Sequence, residues 1–144
     1  MNKIKYSFGI SGTPVAKARP RAFNNKAGHI RMYTPKKSKD FEYAIRQRAE
    51  QIFEKPLSGP IRIEITFFLP RPKHLIWKTK PMPAIPNITR PDLTNFVKSC
   101  EDGLNGVAYN DDGQIAELKA KKYYQKGGKG PWTQIDIEEI MVDE

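Results

Sequence analysis

Arg90-Pro91-Asp92-Leu93-Thr94-Asn95-Phe96-Val97-Lys98-Ser99-Cys100-Glu101-Asp102-Gly103-Leu104-Asn105-Gly106 is the stretch on which the fold turns. Stepped at about 100° per residue from Asp92, Leu93, Phe96, Val97, Cys100 and Leu104 fall in one apolar stripe. Asn95, Lys98 and Asp102 gather on the opposite, polar face, with Thr94 at its edge. Pro91 suits a helix start, and Asp92 directly after it can cap free backbone N–H groups. Gly103 and Gly106 supply the stop. The spacing therefore predicts an amphipathic helix with an acid at its mouth and a lysine one to two turns in. The turn that follows, Asn110-Asp111-Asp112-Gly113-Gln114-Ile115, carries two adjacent acids. It can fold back and bring Asp111 or Asp112 towards Asp92.

Two carboxylates from separate elements, converging near a lysine, suit a Mg²⁺ site. Magnesium keeps several waters and takes one or two protein carboxylates plus substrate phosphate. The same residues also have a plain structural reading. Asp92 can be an N-cap, Asp102 can pair with Lys98 at i, i+4, and Asn110 to Gly113 can be a tight turn built from turn-favouring residues. Spacing alone leaves both readings open.

Outward from this stretch the chain alternates strands and helices. Ile61, Ile63, Ile65, Phe67 and Leu69 share one face of a strand, and Arg62, Glu64 and Thr66 the other. Glu64 is a further acid that could approach the site, although a residue so placed more often faces solvent. Ile4 to Ile10 alternates in the same way. Gly12 to Gly28 reads as a basic loop punctuated by Pro and Gly, and Ile30 to Tyr33 as a short strand that would complete a hairpin. A helix enters at Thr34-Pro35, with Thr34 as cap, and Phe41, Ala44, Ile45, Ile52 and Phe53 repeat at helical spacing before Pro56. Residues 70–89 contain Pro70, Pro72, Pro81, Pro83 and Pro86, so regular structure is not expected there. A connection of that length is usually functional or disordered; it ends just before Asp92, where it can cover the site or reach a partner. Ile115 to Tyr124 and Trp132 to Met141 read as closing strands. The expected architecture is α+β: a single domain over residues 1–144, with a mixed sheet and two main helices packed on it.

Composition narrows the function. The chain has 144 residues, 38% of them hydrophobic, and a mean hydropathy of −0.65. No apolar run approaches a membrane span, and the N-terminus has no apolar signal core, so the expected location is the cytoplasm. His29 and His74 are too isolated to suggest zinc, and Cys100 lies on the apolar stripe as a packed, reduced thiol. The net charge of +9 is segregated: residues 1–39 hold ten Lys or Arg and no acid, leaving a net of −1 on the rest. A one-sided positive field attracts polyanions, and nucleic acid rewards it through counterion release.

Several of these landmarks together resemble the RusA family of Holliday junction resolvases. The family's pattern reads Asp-Leu-Asp-Asn, a lysine downstream, then Asp-Asp-x-Gln. It is matched here by Asp92-Leu93-Thr94-Asn95, Lys98 and Asp111-Asp112-Gly113-Gln114, with Asp102-Gly103-Leu104-Asn105-Gly106 between. Upstream, Gly12 to Arg21, Tyr33 to Lys37 and Phe68 to Lys73 are similar to the family's earlier landmarks. One departure stands out: the family's second acid is Thr94 here.

The resemblance implies a homodimeric, Mg²⁺-dependent endonuclease (Mn²⁺ a possible substitute) that resolves four-way DNA junctions in recombination and repair. It implies Asp92 and Asp112 as metal ligands with Asp111 the lesser candidate. Lys98 would act on the developing charge, and Asn95 would position water or support a ligand. Lys17, Arg19, Arg21 and Lys36 would lie against DNA. The alternatives are a non-catalytic DNA-binding protein on the same fold, which Thr94 keeps open, and an RNA-directed basic protein.

Overall fold

The alternation of Ile61 to Leu69 builds the centre of the protein. In the computed structural model, which describes residues 4–18, 21–24, 26–33 and 35–141, these residues form a central strand. Ile61, Ile63, Ile65 and Phe67 are fully buried on one face. In chain order the elements are β1 (Lys5–Ser11), β2 (Arg21–Asn24), β3 (Ile30–Tyr33), α1 (Lys36–Ile52), β4 (Ile61–Leu69), β5 (Ile85–Pro86), α2 (Leu93–Leu104), β6 (Ile115–Tyr124) and β7 (Trp132–Glu139). Single 3₁₀ turns occupy Lys73–Leu75 and Asp112–Gln114.

The main sheet has the order β1-β7-β4-β6-β5. Only β4 and β6 run parallel; the other pairs are antiparallel. This is the α+β, mixed-sheet architecture expected from the sequence. A parallel neighbour needs a crossover connection, and α2 is that crossover. It starts beside the end of β6, where Lys122 meets the carbonyls of Thr89 and Pro91, and runs back towards the start of the strand. The turn holding Asp111 and Asp112 is thereby delivered to the last turns of α2.

Both helices cover the same sheet face. Phe41, Ile45 and Ala49 of α1 and Phe96, Val97, Cys100 and Leu104 of α2 join Phe8, Ile135, Ile137 and the β4 residues in one core. Phe67 and Phe96 meet with ring centroids 5.3 Å apart. Each large side chain buried this way contributes about 1.5–3 kcal/mol. Thr34, expected to cap α1, lies outside the described residues; Pro35 takes the cap position.

Three local readings change. The stretch from Gly12 to Gly28 is not loop throughout, because Arg21–Asn24 forms β2 and pairs with β3 in a separate two-stranded sheet. Gly103 does not stop α2 but lies inside it. A Cβ there would stand 2.8 Å from the Glu42 carbonyl oxygen, so glycine is what lets α1 and α2 approach. Gly106, at φ +83°, makes the turn after the helix. The Pro-rich segment 70–89 is short of regular structure yet tied down. The buried Arg71 guanidinium donates to the carbonyls of Gln125 and Leu75 at 2.8 Å and also to that of Pro83. It also stacks on Trp77, whose ring Lys80 approaches at 4.2 Å. Among the described residues no helix is long and apolar enough to cross a membrane.

Candidate active site

Asp92 occupies the N-cap position of α2 with extended backbone (φ −67°, ψ 147°), yet its side chain makes no capping hydrogen bond. The carboxylate is exposed and makes no hydrogen bond or ion pair among the described residues. The chain entering it is fixed instead from outside. Lys122 Nζ donates to the carbonyl oxygens of Thr89 at 2.5 Å and Pro91 at 2.7 Å, and Asn87 Oδ1 accepts from the backbone and hydroxyl of Thr89 at 2.8 and 2.7 Å. Nothing in the sequence alone marked Lys122, because its partners are carbonyls in a distant loop.

The turn after α2 sorts its two acids. Asp111 Oδ2 accepts from the Gly113 N–H at 3.0 Å, and Gln114 Oε1 accepts from the backbone N–H groups of Asn110 and Asp111 at 2.7 and 2.9 Å. Together they make a capping box on the short turn. Gln114 Nε2 donates to the carbonyls of Leu57 and Gly59 at 2.8 and 2.9 Å, which ties the turn to the connection between α1 and β4. Asp111 is thus occupied in holding the turn, and Asp112 is presented to α2.

Lys98 meets it there. Its Nζ lies 3.2 Å from Asp102 Oδ1 one turn along the helix and 3.8 Å from Asp112 Oδ2. The hydrogen bond that Lys98 donates to Asp102 raises the pKa of Lys98; burial opposes this, and the negative charges of Asp102, Asp112 and Glu101 add to the rise. Lys98 is therefore a fixed cation at neutral pH. Burial, with Asp112 and Asp102 nearby, raises the carboxyl of Glu101. Burial pushes the Cys100 thiol far up, as expected of a packed, unreactive side chain.

The remaining sequence candidates divide. Lys17 is not a free cation: its Nζ lies 2.9 Å from Glu42 and 3.1 Å from Asp102. Burial would lower its pKa, but the hydrogen bonds it donates to both carboxylates raise it. Asn95 and Thr94 are exposed on α2 near Lys98. Lys36 is exposed at the start of α1 and pairs with Asp40 at 3.1 Å. Arg21 opens β2, and Arg19 lies outside the described residues. Glu64 is on the sheet face away from the helices, between Lys119 at 3.6 Å and Lys121 at 3.7 Å. It does not approach the site, because the strand's alternation turns it outward.

Among the described residues no three His, Cys, Asp or Glu side chains are grouped so as to hold a metal ion. The donors present are all oxygen, and Asp92 and Asp112 are not consumed by local hydrogen bonds. That set fits a hard cation such as Mg²⁺, which needs only one or two carboxylates when water and phosphate complete its shell. It does not fit zinc.

An acid at the mouth of α2, and a second acid on a locked turn beside a charged lysine, are carried on a mixed α+β sheet. The chain belongs to the RusA family: the model of that family, Endodeoxyribonuclease RusA, matches residues 11–138. It is 32% identical over 148 residues to the uncharacterized protein YqaN of Bacillus subtilis (strain 168), covering 99% of this chain and 100% of that one. It is 24% identical over 143 residues to the crossover junction endodeoxyribonuclease rusA of Lactococcus phage r1t, covering 96% and 99% respectively.

Proposed function

We propose that this protein is a Mg²⁺-dependent DNA endonuclease that resolves Holliday junctions by paired symmetric nicks. Its setting is DNA recombination and repair in the cytoplasm. The observation that carries the reading is the placement of charged Lys98 beside Asp112, with the Asp92 carboxylate left free, in a chain of the RusA family.

Asp92 and Asp112 would hold the metal, and Mn²⁺ would substitute for Mg²⁺. When bound, such an ion polarises a phosphoryl oxygen and acidifies an attacking water. Lys98 supplies a preorganised positive charge where negative charge develops on the phosphate. Asn95, exposed on α2, orients water or supports a ligand. Asp111 keeps the turn in shape, so its part is to present Asp112. Arg19, Arg21 and Lys36 meet DNA phosphates from the basic N-terminal quarter. A four-way junction has approximate two-fold symmetry, and paired nicks call for two sites on a C₂ axis, hence a homodimer.

A synthetic four-way junction, incubated with Mg²⁺ or with EDTA, tests this. The proposal expects symmetric nicks only with metal. A gel shift of the junction without nicking at any Mg²⁺ or Mn²⁺ level would make the protein a binder, a reading that Thr94 keeps open. Equal handling of junction and linear DNA would remove junction selectivity.

A further inference from the structure

A row of side chains of alternating charge runs from the interface of the two helices out to the candidate site: Glu42, Lys17, Asp102, Lys98, Asp112. Each oxygen of Asp102 serves a different lysine. Oδ1 takes Lys98 at 3.2 Å and Oδ2 takes Lys17 at 3.1 Å. Lys17 is held in turn by Glu42 Oε1 at 2.9 Å, and its backbone N–H donates to the Asn95 carbonyl at 2.8 Å. Ser38 Oγ reaches the other oxygen of Glu42 at 3.4 Å. Side-chain exposure is 23% at Lys17, 17% at Glu42 and 27% at Asp102, against 50% at Lys98 and 39% at Asp112. The row is anchored at its buried end and open at the site.

We propose that Asp102, itself fixed by Lys17, is a positioning residue that sets Lys98 beside Asp112 without touching substrate. The proposal rests on the reading of Lys98 and Asp112 as site residues. An isolated i, i+4 ion pair on an exposed helix is weak and does not hold a lysine still. Here Asp102 has lost its own freedom to Lys17 before Lys98 arrives, so less ordering remains to oppose the contact. Of the two carboxylates paired with Lys98, Asp102 is the nearer. Without it, Lys98 is left to Asp112 and would neutralise a carboxylate needed elsewhere. Lys17, although part of a basic motif, is spent on this scaffold and not on phosphate.

The test is single-turnover nicking of a four-way junction at saturating Mg²⁺, with junction affinity and its salt dependence measured alongside. The variants are Lys98→Met, Asp102→Asn, Lys17→Met, Lys17→Arg and the Lys17→Met/Asp102→Asn double mutant. Asp102→Asn and Lys17→Met are expected to slow nicking about 10–100-fold, the range seen when a supporting partner of a site residue is removed. Junction affinity and salt slope stay unchanged. Lys17→Arg recovers most of the rate because a guanidinium can bridge two carboxylates. The double mutant is no slower than Asp102→Asn, since Lys17 acts through Asp102.

Wild-type rates in Asp102→Asn or Lys17→Met overturn the proposal. So does a Lys17→Met variant that loses affinity and salt slope while keeping its rate, which would make Lys17 a phosphate contact. Lys98→Met separates the two levels: slow Lys98→Met beside fast Asp102→Asn defeats only the positioning role, and fast Lys98→Met defeats the site reading itself. Should Asp102→Asn prove unfolded by thermal melting, Asp102→Glu decides, with a slowed rate supporting the role and a wild-type rate ending it.

Discussion

The Lys98 ammonium lies 3.8 Å from the Asp112 carboxylate, across the gap between α2 and the turn that follows it. That is within ion-pair range but beyond hydrogen-bond length. Lys98 therefore lends its charge to the region without claiming an oxygen of Asp112. The closer contact, at 3.2 Å, goes to Asp102. The separation leaves Asp112 without a hydrogen bond from Lys98.

The two acids of the turn should behave differently. Asp111→Asn keeps an acceptor for the Gly113 N–H, and asparagine caps as well as aspartate. Nicking in this variant is expected to stay near wild type. Gln114→Ala removes the acceptor for two backbone N–H groups and the donor to Leu57 and Gly59. It should cost about 1–3 kcal/mol of stability and also slow nicking, because Asp112 loses its support. Thermal melting and nicking rates of both variants check this; a dead Asp111→Asn would make Asp111 a ligand.

Gly103→Ala should destabilise the fold by about 1–3 kcal/mol through overpacking. Its methyl group would press on the Glu42 carbonyl oxygen from 2.8 Å. Denaturant unfolding measures the loss; an unchanged midpoint would mean that α1 and α2 separate freely at this point.

Much of this architecture is legible in the sequence. The alternation of Ile61 to Phe67 and the wheel of Leu93 to Leu104 give β4 and α2 with their buried faces, because burial is periodic. The four residues of β2 hide in a basic loop because a strand that short has no periodicity to read. Gly103 looks like a stop because glycine reports close packing and chain reversal with the same letter. The motif marked Asp92, Lys98 and the acidic turn. It ranked Asp112 above Asp111 but did not reveal the bridge from Lys17 to Glu42 and Asp102. That bridge depends on pairs 25 or more residues apart, Lys17 with Glu42 and Lys17 with Asp102.

Binding should be strongly salt-dependent, given the ten Lys or Arg before Asp40 with no acid among them. If Arg19 neutralises one phosphate, Arg19→Ala lowers the log–log salt slope by about one. Junction affinity measured across a salt series gives the number; an unchanged slope would place Arg19 away from DNA.

Thr94 stands where the family carries an acid, and neither Asp111 nor Glu64, the other acids the sequence offers, stands free to replace it. Asp111 caps its turn, and Glu64 is paired on the other face of the sheet. The expected outcome is an active enzyme with weak metal affinity. Thr94→Asp should lower the Mg²⁺ concentration for half-maximal nicking. Coincident titrations would put Thr94 outside the metal's surroundings. Activity appearing only in Thr94→Asp would make the natural protein a binder.

The central claim is that Asp92 and Asp112 carry the chemistry and not the binding. The most direct measurement is nicking of a synthetic four-way junction by wild type, Asp92→Asn and Asp112→Asn in Mg²⁺, with junction affinity measured on the same samples in EDTA. Each substitution removes one negative charge and leaves the basic N-terminal quarter intact, so repulsion of phosphate falls in the absence of metal. The account predicts no nicking by either variant, with affinity equal to or tighter than wild type. Full nicking by either variant, or loss of junction binding along with nicking in a folded protein, would contradict it.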